Sequence, residues 1–75
     1  MNTTVIHSDY EFGKWVYNRC PNKAEIRKQV LAHLKDECRS QFAIGVICAV
    51  ELKHTKSGVE SVFLKECEEA RRSLL

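Results

Sequence analysis

Nine consecutive residues in the middle of this 75-residue chain, Phe42 to Val50, carry neither a charged nor a hydroxyl side chain. A segment that is apolar on every side cannot present any face to water, whether it forms a helix or a strand. It is also too short to span a membrane, which takes about 20 apolar residues. We therefore expect this segment to form the centre of the hydrophobic core, surrounded by the rest of the chain.

Three positions predict the start of a helix. A short polar residue stands three places before a glutamate at Ser8, Asn22 and Ser57. In this arrangement the polar side chain accepts hydrogen bonds from free backbone amides, and the glutamate lies near the positive end of the helix dipole. Apolar residues then recur at helical spacing after Asn22 and after Ser57. The first stripe is Ile26, Val30, Leu31, Leu34 and Cys38, and the second is Val59, Phe63, Cys67, Ala70 and Leu74.

The segment after Ser8 also shows helical spacing, because Phe12, Trp15 and Val16 lie three and four residues apart. We expect these three side chains to face the core. Gly13 weakens the helix, and the alternative is a β-hairpin with a turn at Gly13 and Lys14. In the helical interpretation the outward face carries Tyr10, Gly13, Lys14 and Tyr17.

The apolar segment itself fits either a buried strand or a buried helix. A lone central strand would need neighbouring strands, whereas other amphipathic helices can surround a helix directly. The sequence therefore predicts one all-α domain over residues 1–75, a compact four-helix domain with helices near 9–19, 23–38, 41–54 and 58–74. The third helix is central, and Gly45 is a point of close approach between helices. The alternative is an α+β fold with residues 42–53 as a central strand and an N-terminal hairpin.

The cysteines do not have the spacing of a metal or catalytic site. Zinc sites usually contain a close pair of cysteines, whereas Cys20, Cys38, Cys48 and Cys67 are at least ten positions apart. A nucleophilic cysteine needs a nearby base and an exposed turn, and neither is indicated. We expect free thiols, no metal, no cofactor and no enzymatic activity. The first residues lack the pattern of a secretory signal, so we expect a cytoplasmic protein that does not insert into a membrane.

The basic residues form one local cluster in a chain of formal net charge +2. Its members are Lys14, Arg19, Lys23, Arg27 and Lys28. These cations could bind the phosphates of a nucleic acid. A helix-turn-helix motif is disfavoured, because the helix after Cys38 begins with apolar residues that offer no donor to a base edge.

The outward face of the first helix is the other candidate site. Tyr10, Lys14 and Tyr17 would form an amphipathic patch of the kind enriched at protein interfaces. We therefore expect a small cytoplasmic regulatory or inhibitory protein that binds another protein stoichiometrically, and a homodimer because Val62 and Leu64 widen the apolar face of the last helix. The alternative is a nucleic-acid-binding accessory protein that uses the basic cluster. In size and helical character the chain resembles several small phage or plasmid regulators, although no motif connects it with one family.

Overall fold

The computed structural model of the chain describes residues 9–36 and 40–73. These residues form four helices, α1 (Asp9–Arg19), α2 (Lys23–Asp36), α3 (Gln41–Glu51) and α4 (Gly58–Ser73), and they contain no strand. The predicted all-α four-helix fold is confirmed. The alternative with a central strand and an N-terminal hairpin is wrong, because both segments are helical.

The four observed helix starts and the end of α1 agree with the predicted ones, whereas α3 differs at its end. This helix ends at Glu51, three residues before the predicted end. Its last turn is tightened, because the backbone N–H of Lys53 donates a 3.1 Å hydrogen bond to the carbonyl of Val50. The predicted ends of the second and fourth helices, residues 38 and 74, lie outside the described residues, as does Ser8.

Short polar side chains hold the starts of three helices. Asn22 Oδ1 accepts a 3.1 Å hydrogen bond from the backbone N–H of Glu25, and Ser40 Oγ accepts one of 3.3 Å from Ala43. At the start of α4, Ser57 Oγ accepts a 3.1 Å bond from the backbone N–H of Glu60, and the Glu60 carboxylate accepts a 3.0 Å bond from the N–H of Ser57. These contacts satisfy amides that a helix start otherwise leaves free.

Helix α3 is the centre of the core, as predicted. Six of the nine residues in the apolar segment are buried, and the remaining three, Phe42, Ile44 and Cys48, are half-buried. The other helices pack their apolar residues around α3. These residues are Tyr17 from α1, Ile26, Val30 and Leu34 from α2, and Phe63 and Cys67 from α4.

Two glycines allow α1 and α3 to pack closely. A Cβ atom added to Gly13 would overlap the carbonyl oxygen of Phe42 and would lie 3.0 Å from the backbone nitrogen of Val46. A Cβ atom added to Gly45 would likewise overlap the carbonyl oxygen of Tyr10. The two helix backbones therefore touch where only glycine fits, and the predicted role of Gly45 is confirmed.

This close contact rotates α1 away from its predicted orientation. We predicted that Phe12 and Trp15 face the core and that Tyr17 faces outward, and this prediction is wrong. Gly13 must face α3, and a residue four positions along a helix shares the same face. Tyr17 is therefore fully buried, whereas 48% of Phe12 and 51% of Trp15 remain exposed.

Helix α4 is rotated from its predicted face at its first turn. Val59 was expected in the core but is 59% exposed, whereas Glu60 is only 3% exposed. Glu60 occupies the inner position because its carboxylate has hydrogen-bond partners there, which offset the cost of burying a charge. Phe63 and Cys67 are buried as predicted.

Candidate functional site

A row of four ring side chains and one arginine, exposed except for the half-buried Phe42, crosses three helices. We call its members, Arg19, Trp15, Phe12, Phe42 and His33, the aromatic row. The Arg19 guanidinium carbon lies 4.5 Å from the centre of the Trp15 ring. The Trp15 and Phe12 rings are stacked with centroids 6.3 Å apart. The ring centroids of Phe12 and Phe42 are 6.1 Å apart, and those of Phe42 and His33 are 5.2 Å apart.

The middle of the row is both exposed and ordered by its neighbours. Aromatic pairs at these separations contribute about 0.5–1.5 kcal/mol beyond their buried area, so each ring limits the movement of the next. Phe42 anchors the row to the protein because it packs against the core. Large aromatic side chains that remain half-exposed on a small protein are typical of interaction surfaces.

At its α2 end the row meets a shallow groove. Gln29, Ala32, His33 and Asp36 line this groove. His33 Nδ1 lies 3.3 Å from Ser40 Oγ, and this contact connects the imidazole to the start of α3. The row therefore has a cation at one end, Arg19, and a carboxylate at the other, Asp36.

The structure separates the residues predicted to bind a protein. The Tyr10 hydroxyl donates a 3.5 Å hydrogen bond to Cys48 Sγ, which raises the pKa of Tyr10. Lys14 Nζ lies 5.4 Å from the centre of the Tyr10 ring, so these two residues do form one half-exposed pair. Tyr17 is not part of that surface, because it lies in the core.

Tyr17 instead belongs to a buried polar network around Glu60. The Tyr17 hydroxyl donates a 2.8 Å hydrogen bond to Glu60 Oε2 and accepts one of 3.1 Å from Arg27. Lys53 Nζ donates to both carboxylate oxygens of Glu60, at 2.9 and 2.7 Å. The network thus connects α1 and α2 with α4 and the loop before it.

The network explains the ionisation of both buried groups. The hydrogen bonds from Lys53, helped by those from Ser57 and Tyr17, outweigh burial and lower the pKa of Glu60 from 4.5 to about 2. Burial and the hydrogen bond to Glu60 raise the pKa of Tyr17. Glu60 is therefore a carboxylate at neutral pH, and Tyr17 is a neutral phenol that donates to it.

The basic cluster does not form one continuous surface. Arg27 donates to the Tyr17 hydroxyl, and Lys23 donates a 3.0 Å hydrogen bond to the carbonyl of Cys20. Arg19 lies over Trp15. Lys28 is exposed and lies on another face of α2 than Lys23, because five residues along a helix correspond to a rotation of about 140°. The five predicted nucleic-acid contacts are therefore distributed over several faces.

The cysteines of residues 9–36 and 40–73 are Cys20, Cys48 and Cys67. Burial raises the pKa of the Cys67 thiol to about 12, so it is not a thiolate at neutral pH. Cys20 and Cys48 are half-buried free thiols. Within residues 9–36 and 40–73, no group of three histidine, cysteine or acidic side chains is placed to hold a metal ion. No helix in the same part of the chain is long and apolar enough to cross a membrane.

Comparison with protein-family models, with curated proteins and with solved structures finds no match to this chain. The geometry of the described residues is therefore the basis for any functional inference.

Part of the aromatic row was visible in the sequence. Phe12, Trp15 and Arg19 are separated by three and four residues and must share one face of a helix. The helical spacing of Phe12, Trp15 and Val16 instead predicts that Phe12 and Trp15 face the core. The contribution of Phe42 and His33 could not be found by spacing, because they lie on two other helices.

Proposed function

We propose that this chain is a small cytoplasmic regulatory or inhibitory protein that acts by stoichiometric binding of another protein, not by catalysis. The aromatic row is the binding surface. The observation that carries the proposal is the exposed stack of Phe12 on Trp15, with Arg19 over the indole. Tyr10 and Lys14, the two residues of the predicted site that remain at the surface, lie on another side of α1. We assign them a smaller role than the aromatic row.

The chemistry of the row supports this function. Tryptophan and arginine are the residue types that most often dominate binding energy at protein interfaces, and aromatic side chains are enriched there. The stacking contacts hold the side chains in place before a partner arrives, so little conformational entropy remains to be lost on binding. A row of this kind favours a partner that inserts apolar side chains between or onto the rings.

The row is also largely separate from the interactions that stabilise the fold. Helix α1 is attached to α3 through Gly13 and to the core through Tyr17. Phe12 lies beside that contact, with its ring centroid 6.1 Å from that of Phe42, and about half of the Phe12 and Trp15 side chains remains exposed. Removal of these two side chains should therefore affect binding much more than folding.

We expect the double change Phe12→Ala with Trp15→Ala to weaken partner binding by about 4 kcal/mol, or roughly a thousandfold in Kd, which is the scale of two hot-spot residues. The partner is first obtained by affinity capture from the native cytoplasm with mass spectrometry, and Kd is then measured by titration calorimetry. Circular dichroism should show a helical, cooperatively melting variant.

The matched control is Leu52→Ala, which removes a large exposed apolar side chain just after the end of α3 instead. This control should retain full affinity. Equal affinity of the wild type and the Phe12 and Trp15 variant would contradict the proposal, and so would an equal loss in the control.

The alternative function, nucleic-acid binding through the basic cluster, has less support. Its cations lie on several faces, and Lys23 and Arg27 already have hydrogen-bond partners inside the protein. Binding to phosphates would also depend steeply on salt concentration. Retention on duplex DNA that falls steeply with salt and is lost on Lys28→Gln would favour the alternative.

We also propose that the chain forms a homodimer through α4. Val59 and Val62 are 59% and 57% exposed and lie one helical turn apart, and Leu64 is half-buried on the other side of the buried Phe63. Exposed apolar surface of this kind is commonly covered by a second copy, since symmetric dimers are the most frequent oligomers.

We expect sedimentation at tens of micromolar to show a dimer, and Val62→Glu to shift it to the monomer because a charge would be buried at the interface. The Trp15→Ala variant should remain dimeric. A monomeric wild type would contradict the homodimer, and loss of the dimer in Trp15→Ala would place self-association on the aromatic row instead.

A further inference from the structure

We propose that the partner segment bound by the aromatic row is an apolar stretch that carries one aspartate or glutamate, and that this carboxylate pairs with the guanidinium of Arg19. The inference rests on the proposed function and adds the chemistry and the orientation of the partner. It follows from the environment of Arg19, from the neighbouring rings, and from the distribution of charge along the row.

The guanidinium of Arg19 is held in place, and no carboxylate of residues 9–36 and 40–73 forms an ion pair with it. Its central carbon lies 4.5 Å from the centre of the Trp15 ring, and the side chain is exposed at the end of α1. The ion pairs among the described residues join Lys53 with Glu60 and Arg72 with Glu68. A guanidinium has five N–H donors in one plane, and contact of its carbon with a ring leaves the donors at its edge available.

A carboxylate is the group that fits these donors best in a protein partner. Arginine and carboxylate groups form paired, charge-assisted hydrogen bonds with defined geometry. Apolar side chains of the same partner would cover Trp15 and Phe12 and would exclude water from the pair. The attraction between opposite charges increases as water is removed, provided that both groups are hydrogen-bonded.

The charge along the row favours a protein segment over a single-stranded nucleic acid. A nucleic-acid platform combines exposed rings with cations that follow the phosphate backbone. Among the described residues, the cation of the aromatic row is Arg19 at its Trp15 end, and the groove beside His33 is lined by the carboxylate of Asp36. Lys23 and Arg27 surround Tyr17 instead of the row. Successive phosphates would therefore meet a negative charge, whereas a single carboxylate placed at Arg19 would not.

The distribution of charge along the aromatic row also determines the orientation of the partner. Its acidic side chain belongs at the Arg19 end, and its apolar side chains belong over Trp15, Phe12 and the edge of Phe42. A basic side chain of the partner would be accepted near Asp36.

The test uses the full chain and random peptides displayed on phage, followed by titration of the strongest binder as a synthetic peptide. We expect the selected peptides to combine aromatic or aliphatic residues with an aspartate or glutamate. We expect Arg19→Gln to weaken binding of the synthetic peptide about tenfold, the scale of one charge-assisted hydrogen-bonded pair. Arg19→Lys should recover only part of this loss, because lysine keeps the charge but not the paired donors.

The matched control is Lys28→Gln, which removes one positive charge from another face of the protein and should leave the affinity unchanged. Replacement of the peptide's acidic residue by its amide should cause the same tenfold loss in the wild type and no further loss in Arg19→Gln. Such non-additivity is the signature of two groups that contact each other.

The outcomes separate this inference from the proposed function. Peptides that require Phe12 and Trp15 but contain no acidic residue, and that bind Arg19→Gln normally, would overturn the inference and leave the function standing. Failure to select any peptide that requires Phe12 and Trp15 would overturn both. Binding of polyuridylate that requires Trp15 and Arg19, without a selected peptide, would replace the protein partner by a single-stranded nucleic acid.

Discussion

Replacement of Gly45 by alanine is expected to destabilise the protein by about 2–3 kcal/mol, the upper part of the usual range for overpacking. The added Cβ would overlap the carbonyl oxygen of Tyr10 and would lie 3.0 Å from the backbone nitrogen of Lys14. Both atoms belong to the backbone of α1, so no side chain can move aside and the two helices must separate. Alanine ordinarily favours a helix over glycine by about 1 kcal/mol, and here the steric overlap outweighs that gain.

The matched control is Gly58→Ala. The space around Gly58 is open, and the residue lies at the start of α4. This substitution should leave the free energy of unfolding unchanged or raise it by up to about 1 kcal/mol. Urea unfolding followed by circular dichroism measures both variants. Equal stability of Gly45→Ala and Gly58→Ala would show that α1 and α3 are not packed through glycine, and Gly13→Ala should resemble Gly45→Ala.

Most of the fold could be predicted from local patterns in the sequence. Polar caps fix the starts of helices, as at Asn22 and Ser57, because the free amides of a helix start need nearby acceptors. Ile26, Val30 and Leu34 are buried as their spacing predicts. The composition of the apolar segment required a central position, because no face of it could be exposed.

The orientation of α1 could not be predicted by the rule that large apolar side chains face the core. That rule assumes that a helix packs through its side chains. Helix α1 packs on α3 through its backbone at Gly13, and the contact point therefore carries the smallest residue. In the sequence Gly13 is a weak helix former, and its role in close packing with Gly45 depends on the relative position of the two helices.

The buried polar network around Glu60 could not be predicted from the sequence either, because its members are far apart along the chain. Tyr17 and Glu60 are 43 positions apart, and a tyrosine is equally consistent with an interface and with a core. Only the contact between Ser57 and Glu60 could be predicted, because these two residues are three positions apart and form the cap of α4. A charged residue at an inner position of a helix is stable only with partners, and spacing alone does not identify partners on other helices.

Substitution of Glu60 by glutamine is expected to lower the free energy of unfolding at neutral pH by about 2–3 kcal/mol, estimated from its pKa shift. The carboxylate is 3% exposed and accepts hydrogen bonds from Lys53, Ser57 and Tyr17. A glutamine amide would present an N–H₂ donor to one of these donors. Lys53 is 33% exposed and can turn toward water, which keeps the loss below that of a fully buried ion pair.

The same carboxylate should make stability depend on acid pH. Its pKa is about 2 in the folded protein and 4.5 as the ordinary value, so the unfolded chain takes up the proton first as the pH falls. The contribution of Glu60 is therefore fully present above about pH 4.5 and is lost progressively as the pH falls through 4.5 toward 2. The informative quantity is the difference in unfolding free energy between the wild type and Glu60→Gln at each pH, because the two proteins share every other titratable group.

That difference should be largest at neutral pH and should shrink steadily between pH 4.5 and pH 2. The matched control is Glu68→Gln, which removes a carboxylate from an exposed pair with Arg72 on the same helix. Exposed pairs of this kind contribute about 0.3–0.5 kcal/mol, so the control should unfold almost as the wild type does at every pH. A pH-independent difference for Glu60→Gln would show that the carboxylate is not held by Lys53 and its other donors, and that the loss of stability arises from altered packing alone.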